Sequence, residues 1–294
     1  MNYVIKNEYY TATVSEVGAE LISLVAADGK EIMWQSPSES FWSKHAPLLF
    51  PICGQLKNKR YTYKGVSYDM KGHGFIGGET FELVEKGESY VVLFSAANEK
   101  TLEKYPFSYA FVAKYSLEGD KVCCSVRIEN RGGEAMPYMF GWHPGFALPT
   151  ECGAEIEDYA IDFGGAESLK LVPLQNGPFA SSTRRDFALD GGKYTLCEDE
   201  IYANDTLIFE NAPTRVALTG EKSPYRLELE WSESTPYLCV WKEPSHDARF
   251  ICLEPWSDTP ADGVADENFE VRKMQRLAPG ACDSYKLSFK YTKE

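Results

Sequence analysis

Short runs in which apolar and polar residues alternate, broken by Gly, Asp and Asn, make up most of this chain. Tyr9 to Val14 leads through Glu16-Val17-Gly18 to Leu21-Ile22-Ser23-Leu24-Val25, and a turn at Ala27-Asp28-Gly29-Lys30 follows. A period of two rich in β-branched and aromatic residues predicts strands, because successive side chains point to opposite faces. The opening residues, Met1 to Glu8, read as a strand in the same way. Tyr61-Thr62-Tyr63, Lys64-Gly65 and Val66-Ser67-Tyr68 predict a compact hairpin. Two further strand-turn-strand units are centred on Glu85-Lys86-Gly87-Glu88 and Glu118-Gly119-Asp120. Later strands are expected over 206–209, 216–219, 226–231, 238–241 and 250–253, with a closing strand over 283–291. Pro255 is expected to end the 250–253 run and leave Glu254 at its rim.

Helical periodicity is scarce, amounting to one or two turns over 97–104 before Pro106. The stretch from Thr150 to Cys197 is richer in Gly, Pro and charge and is expected to form long loops at one rim. Strands at this density predict an all-β sandwich or barrel and argue against βαβ units. No repeat, low-complexity tract or linker divides the chain, so one domain over 1–294 is expected.

Composition narrows the function more than the fold. A chain of 294 residues buries a core without disulfides. Its 30 Lys and Arg against 44 Asp and Glu give a net charge of −14, which disfavours nucleic acid and anionic membranes as partners. A neutral small ligand and a cytoplasmic setting fit better, with the protein a monomer or homodimer. No apolar run approaches the roughly 20 residues of a membrane span, and the N-terminus lacks a secretory pattern. The eight cysteines form no C-x-x-C pair and read as reduced core residues.

Candidate chemistry concentrates in a few places. Met136-Pro137-Tyr138-Met139-Phe140-Gly141-Trp142-His143-Pro144-Gly145-Phe146 holds one histidine in an aromatic segment without charge. Pro144 biases His143 towards extended backbone, and Gly141 and Gly145 allow close approach. His73 is flanked by glycines in Lys71-Gly72-His73-Gly74-Phe75, which suggests backbone packed near a ligand. The overlapping G-x-G-x-x-G match follows a hairpin and leads to a strand, so it is not a dinucleotide fingerprint. Glu254 shares a strand face with Cys252 and Phe250, where lost solvation would raise its pKa towards that of a general base. Asp205 precedes a strand, as a turn former or a ligand group. Gln55, Asn58 and Arg60 could donate to sugar-like oxygens, and Trp142, Trp241 and Trp256 offer flat faces for stacking. The spacings of a metal site, a nucleophilic serine and a phosphate loop are all missing, so no metal is expected.

Taken in order, Gly54-Gln55-Leu56-Lys57-Asn58, Gly72-His73-Gly74-Phe75, Gly141-Trp142-His143-Pro144-Gly145-Phe146 and Leu253-Glu254-Pro255-Trp256 resemble the aldose 1-epimerase (galactose mutarotase-like) family. The likeness spans essentially the whole chain and is closest to the LacX-type branch. It implies a large twisted antiparallel β-sandwich with few short helices and an open cleft. It also implies cofactor-free interconversion of sugar anomers. By matched position Glu254 would be the general base and His143 the general acid. His73 would hold the ring-oxygen region, and Asp205 the sugar hydroxyls. Gln55 stands where the family pattern has arginine, and Lys57, Lys59 and Arg60 all remain candidates for the cation that reaches substrate. Alternatives are a hexose-6-phosphate 1-epimerase and a non-catalytic carbohydrate-binding module on the same fold.

Overall fold

A computed structural model describes residues 1–150, 153–245 and 247–293, so Cys152 and His246 lie outside the described residues. Two large antiparallel sheets carry the fold. Nine strands form the first, in the order Lys193–Thr195, Tyr159–Asp162, Arg215–Gly220, Tyr225–Trp231, Cys282–Lys293, Lys121–Asn130, Tyr109–Glu118, Tyr90–Ala96 and Glu82–Lys86. The second runs Arg185–Ala188, Ser168–Val172, Leu207–Glu210, Tyr237–Trp241, Phe250–Trp256, Gly141–Trp142 and Leu48–Leu49, with Gly145–Ala147 also paired to Phe250–Trp256. Apolar positions of both sheets meet in one core. Val122, Val126 and Leu287 enter it from the first sheet, and Ile208, Leu238, Ile251 and Leu253 from the second.

Alternation along Phe250–Trp256 decides where the site lies. Ile251 and Leu253 face the main core, whereas Phe250 and Cys252 join a separate cluster with Trp34 and Ala248, against which Phe41, Trp42 and Trp241 pack. The strand is therefore buried throughout. One face is held by the sandwich, and the other carries an aromatic cluster beside the cavity described below.

The strand differs from its expected end. It continues through Pro255 to Trp256, with Leu238 opposite Pro255. The Leu253 N–H is directed at Pro144 O, 3.3 Å away, and the Ser257 N–H donates to Phe140 O at 2.8 Å. Pro255 shares their side of the strand and stands opposite Trp142, in the register set by Gly141 against Trp256 and Gly145 against Cys252. Its missing donor leaves one ladder position without a hydrogen bond, and the bonds from Leu253 and Ser257 hold the pairing on either side. Glu254 consequently sits inside a central strand and not at a rim.

Two other regions depart from expectation. Much of 153–197 is strand: Tyr159–Asp162 and Lys193–Thr195 extend the first sheet, and Ser168–Val172 and Arg185–Ala188 extend the second. Some of its charged residues are the exposed members of these strands, such as Lys170 and Asp186, which pair across the ladder. A helix at Glu198–Asn204 was not anticipated, because seven residues hold barely two turns of periodicity. Acidic residues in its first turn suit the positive end of the helix dipole. The expected short helix near 97–104 is Glu99–Leu102, capped by Asn98, whose side chain accepts from the Thr101 N–H at 3.1 Å. Among the described residues, no helix is long and apolar enough to cross a membrane.

Candidate active site

A cavity of about 480 Å³ rests on the eight-stranded sheet. Ile208, Trp241, Glu254, Trp256, Leu48 and Leu49 reach it from strands, and Trp42, His73, His143 and Asp205 from the loops and strand ends around them. That volume is in the range of small-molecule sites, roughly 300–1,000 Å³.

Glu254 is 1% exposed and lies opposite Cys239 in the ladder. The buried thiols of Cys53, Cys239 and Cys252 are close enough to feel its charge. Such neighbours solvate a carboxylate poorly, so burial raises its pKa well above the ordinary value. The indole of Trp256 opposes that only in part. Oε2 of Glu254 and Nε1 of Trp256 both lack a hydrogen-bond partner among the described residues.

His143 follows the two-residue strand Gly141–Trp142, and its N–H donates to Pro47 O at 3.1 Å. The ring stacks on Trp42 at 5.0 Å between centroids and meets Trp241 and His73 edge-on at 5.6 and 5.3 Å. Burial, with His73 adding to it, depresses the imidazole pKa well below its usual value. His143 Nε2 lies 3.3 Å from Glu254 Oε2. Because Oε2 lacks an aligned donor, the two polar atoms are neighbours without a formed hydrogen bond. Gly145 is required by the stack, since a Cβ there would stand 2.7 Å from the Trp42 ring.

His73 adopts a positive φ of 62°. Its Nδ1 accepts from the Gly54 N–H at 3.2 Å, and its own N–H donates to Gly54 O at 2.8 Å. In a neutral ring this leaves the proton on Nε2, making that nitrogen a donor. Burial lowers the pKa to about 4, so the ring is neutral near pH 7. At Gly74, where φ is +72°, a Cβ would lie 2.1 Å from Phe50 O, so only glycine allows this backbone approach.

Asp205 caps the end of the Glu198–Asn204 helix with φ 60° and ψ −53°, a conformation that costs a residue with a Cβ on the order of 1–3 kcal/mol. Burial raises its carboxyl pKa. The helix is docked by Lys242, whose buried ammonium is 2.9 Å from Glu198 Oε1 and donates to the Tyr202 hydroxyl at 2.9 Å and to Ser245 O.

Among the residues singled out from sequence, Glu254, His143, His73, Asp205, Gln55 and Trp241 line the cavity. Asn58, Arg60 and Trp142 do not. The Asn58 amide donates to Asp266 at 2.8 Å, Arg60 pairs with Asp69 at 3.3 Å, and Trp142 is buried edge-on to Phe140 at 5.1 Å. In Trp142 the side chain alternates away from the cavity that receives His143. Lys57 donates to Val264 O at 2.6 Å, and the lysines on the cavity wall are instead Lys44 and Lys71. Lys59 does not line it either.

Trp42 was missed. Its local signal was a Phe-Trp pair inside a run of serines, a poor place for exposed aromatics. What holds it is not local: Glu243 accepts from the Trp42 N–H at 2.7 Å, and Trp34 Nε1 donates to Trp42 O at 2.8 Å. Buried Glu20 fixes the same loop, accepting from the His45 and Ala46 N–H groups at 2.7 and 3.2 Å. Donor atoms of His143, Cys252 and Glu254 also lie within 4.8 Å of one another.

Comparison with known proteins bears on the family and the fold. Residues 1–291 match the family described as aldose 1-epimerase. The chromosomally encoded protein LacX of Lactococcus lactis subsp. lactis is 31% identical over 99% of both chains. A galactose mutarotase related enzyme from Lactobacillus acidophilus has a structure similar to this one, with a TM-score of 0.92 at 30% identity over 99% of this chain and 97% of that one. A galactose mutarotase-like protein from Lactobacillus casei superposes with a TM-score of 0.91 at 27% identity, covering 99% and 100% of the two chains.

Proposed function

The chain belongs to the aldose 1-epimerase family, and from that premise we propose that it interconverts the α and β anomers of an aldose by acid–base ring opening and reclosure. The observation that carries the reading is the pair of His143 Nε2 and Glu254 Oε2, 3.3 Å apart beside the cavity. Ring opening removes the proton of the anomeric hydroxyl and delivers one to the ring oxygen. Those two oxygens are bonded to the same carbon, so acid and base must stand side by side within hydrogen-bond reach of both.

Glu254 takes the hydroxyl proton and His143 gives one to the ring oxygen. The C1–O5 bond breaks to the free aldehyde, the C1–C2 bond rotates, and reclosure on the other carbonyl face runs the same transfers in reverse. The pair carries one proton overall. Burial favours it on Glu254 while the cavity holds no sugar, because that leaves both groups uncharged. Its transfer to His143 creates carboxylate base and imidazolium acid together, without changing the net charge. His73 directs a neutral Nε2–H to the ring-oxygen region, Asp205 and Gln55 hold sugar hydroxyls, and Trp241 offers a face to the ring.

A 6-phosphorylated substrate would call for cations converging on the cavity. Arg60 is turned to Asp69, Lys57 to Val264, and Lys44 is paired with Glu20 at 3.3 Å. Among the described residues this leaves Lys71 as a single cation on the wall and no converging set, favouring an uncharged sugar. A purely binding module has no use for a buried carboxyl without a partner, whose desolvation costs stability.

The test is anomer exchange, by saturation-transfer NMR or polarimetry, over a panel of free and 6-phosphorylated aldoses. Acceleration on at least one unphosphorylated sugar is expected. Binding without acceleration on any of them would overturn the reading. Within an active pair of enzyme and sugar, Asp205→Asn should raise KM about tenfold, the equivalent of losing one charge-assisted hydrogen bond, with a smaller change in kcat. An unchanged KM would remove Asp205 from the sugar contacts.

A further inference from the structure

We infer that His143, Cys252 and Glu254 form a binding site for a thiophilic divalent cation of the zinc class, and that the bound ion shuts off the acid–base pair. No metal-ligand spacing links the three residues along the chain; the fold alone assembles them. All three side chains are buried, and their donor atoms lie within 4.8 Å of one another. One point can therefore be no farther than roughly 2.8 Å from each donor, against zinc bond lengths of about 2.0–2.3 Å.

The nitrogen–oxygen pair matches the geometry of such a site. Two bonds of about 2.0–2.1 Å at a tetrahedral angle place nitrogen and oxygen roughly 3.3 Å apart. His143 Nε2 and Glu254 Oε2 are separated by 3.3 Å, and among the described residues no hydrogen-bond donor is aligned to Oε2. A contact of this length without a directed proton suits two donors aimed at a third body. Cys252 follows from the strand: it shares a face with Glu254, and a Cβ on Gly145 would be 3.5 Å from its sulfur. His143 and Glu254 border the cavity, which gives the ion a path and leaves a fourth position for water. Binding forms Zn–N, Zn–S and Zn–O bonds, and the protons of the thiol and the carboxyl leave to solvent.

Inhibition depends on the proposed acid–base role, but the site itself does not, and the experiment separates the two. The intact protein is titrated with Co²⁺ and with Zn²⁺, alongside Cys252→Ala and Cys252→Ser, each checked by thermal melting. One equivalent of Co²⁺ should give a thiolate-to-cobalt absorption band in the wild type that both variants lack. Competition against a chromophoric chelator should show Zn²⁺ bound more weakly in the variants by at least the roughly 10–100-fold that loss of even a supporting residue costs. Zinc should abolish wild-type anomer exchange reversibly, chelator should restore it, and each variant, normalised to its own metal-free rate, should resist. A cobalt band that survives in folded Cys252→Ala, or no band in the wild type, overturns the site. An intact band in a protein without anomer exchange leaves the site standing and overturns only the acid–base reading.

Discussion

Glu254→Gln lowers the rate of anomer exchange by roughly 10²–10⁴-fold, the contribution of a positioned general base, with sugar affinity little changed. Glutamine keeps the shape of the side chain and its apolar contacts but cannot take a proton from the anomeric hydroxyl. The interaction removed exists mainly in the transition state, so kcat and kcat/KM should fall together. Stability supplies the second readout. Glu254 is 1% exposed with Oε2 unpartnered, a burden on the order of 1–3 kcal/mol for such a group. At pH 7 the unfolded chain ionises this carboxyl while the buried one resists, a penalty an amide does not carry, so the melting temperature should hold or rise. A residue kept for packing would behave in the opposite way, losing stability while leaving the rate intact. Wild-type exchange in Glu254→Gln would remove this carboxyl from the mechanism.

His143→Asn should cost a similar roughly 10²–10⁴-fold, because asparagine offers hydrogen bonds but no proton to the ring oxygen. Here stability should drop modestly, by about 0.5–1.5 kcal/mol for each aromatic pairing with Trp42 or Trp241 that the shorter side chain no longer makes. The double variant is the stricter measurement. Acid and base act on two oxygens of one carbon within one step, so combining the changes should add little to the loss from either alone. Multiplying losses, read by the same NMR exchange assay, would mean that the groups serve separate events and would end the paired mechanism.

Both expectations concern residues that stood out before the fold was known, and the reason is physical. His143 sits in an uncharged aromatic segment between glycines, His73 between glycines, and Glu254 at the polar position of an otherwise apolar run. Each breaks a local rule, and such breaks mark sites where packing has been given up for something else. Arg60 and Asn58 broke no rule; they were chosen because they could donate, and Asp69 and Asp266 accept from them instead. Trp142 illustrates a different limit. It is next to His143 in the chain, but alternation turns its ring to Phe140 and away from the cavity.

The chain by itself determined that this protein is built from antiparallel strands, because a period of two in apolar residues with Gly and Asp turns permits little else. It also determined which groups could move protons, since histidine and a desolvated carboxylate are chemical identities legible at once. Only the tertiary structure decided distances and proton affinities. Pro255 stayed in the strand because bonds from Leu253 and Ser257 hold the pairing on either side of its missing donor, and the burial of that strand raised the Glu254 pKa. Trp42 reached His143 through Glu243 and Trp34, partners 201 and 8 residues away in sequence. The 3.3 Å between His143 and Glu254 is likewise set by pairing across the sheet. Strand formation is written in neighbours two residues apart; the site is written in the register between strands, which no local pattern contains.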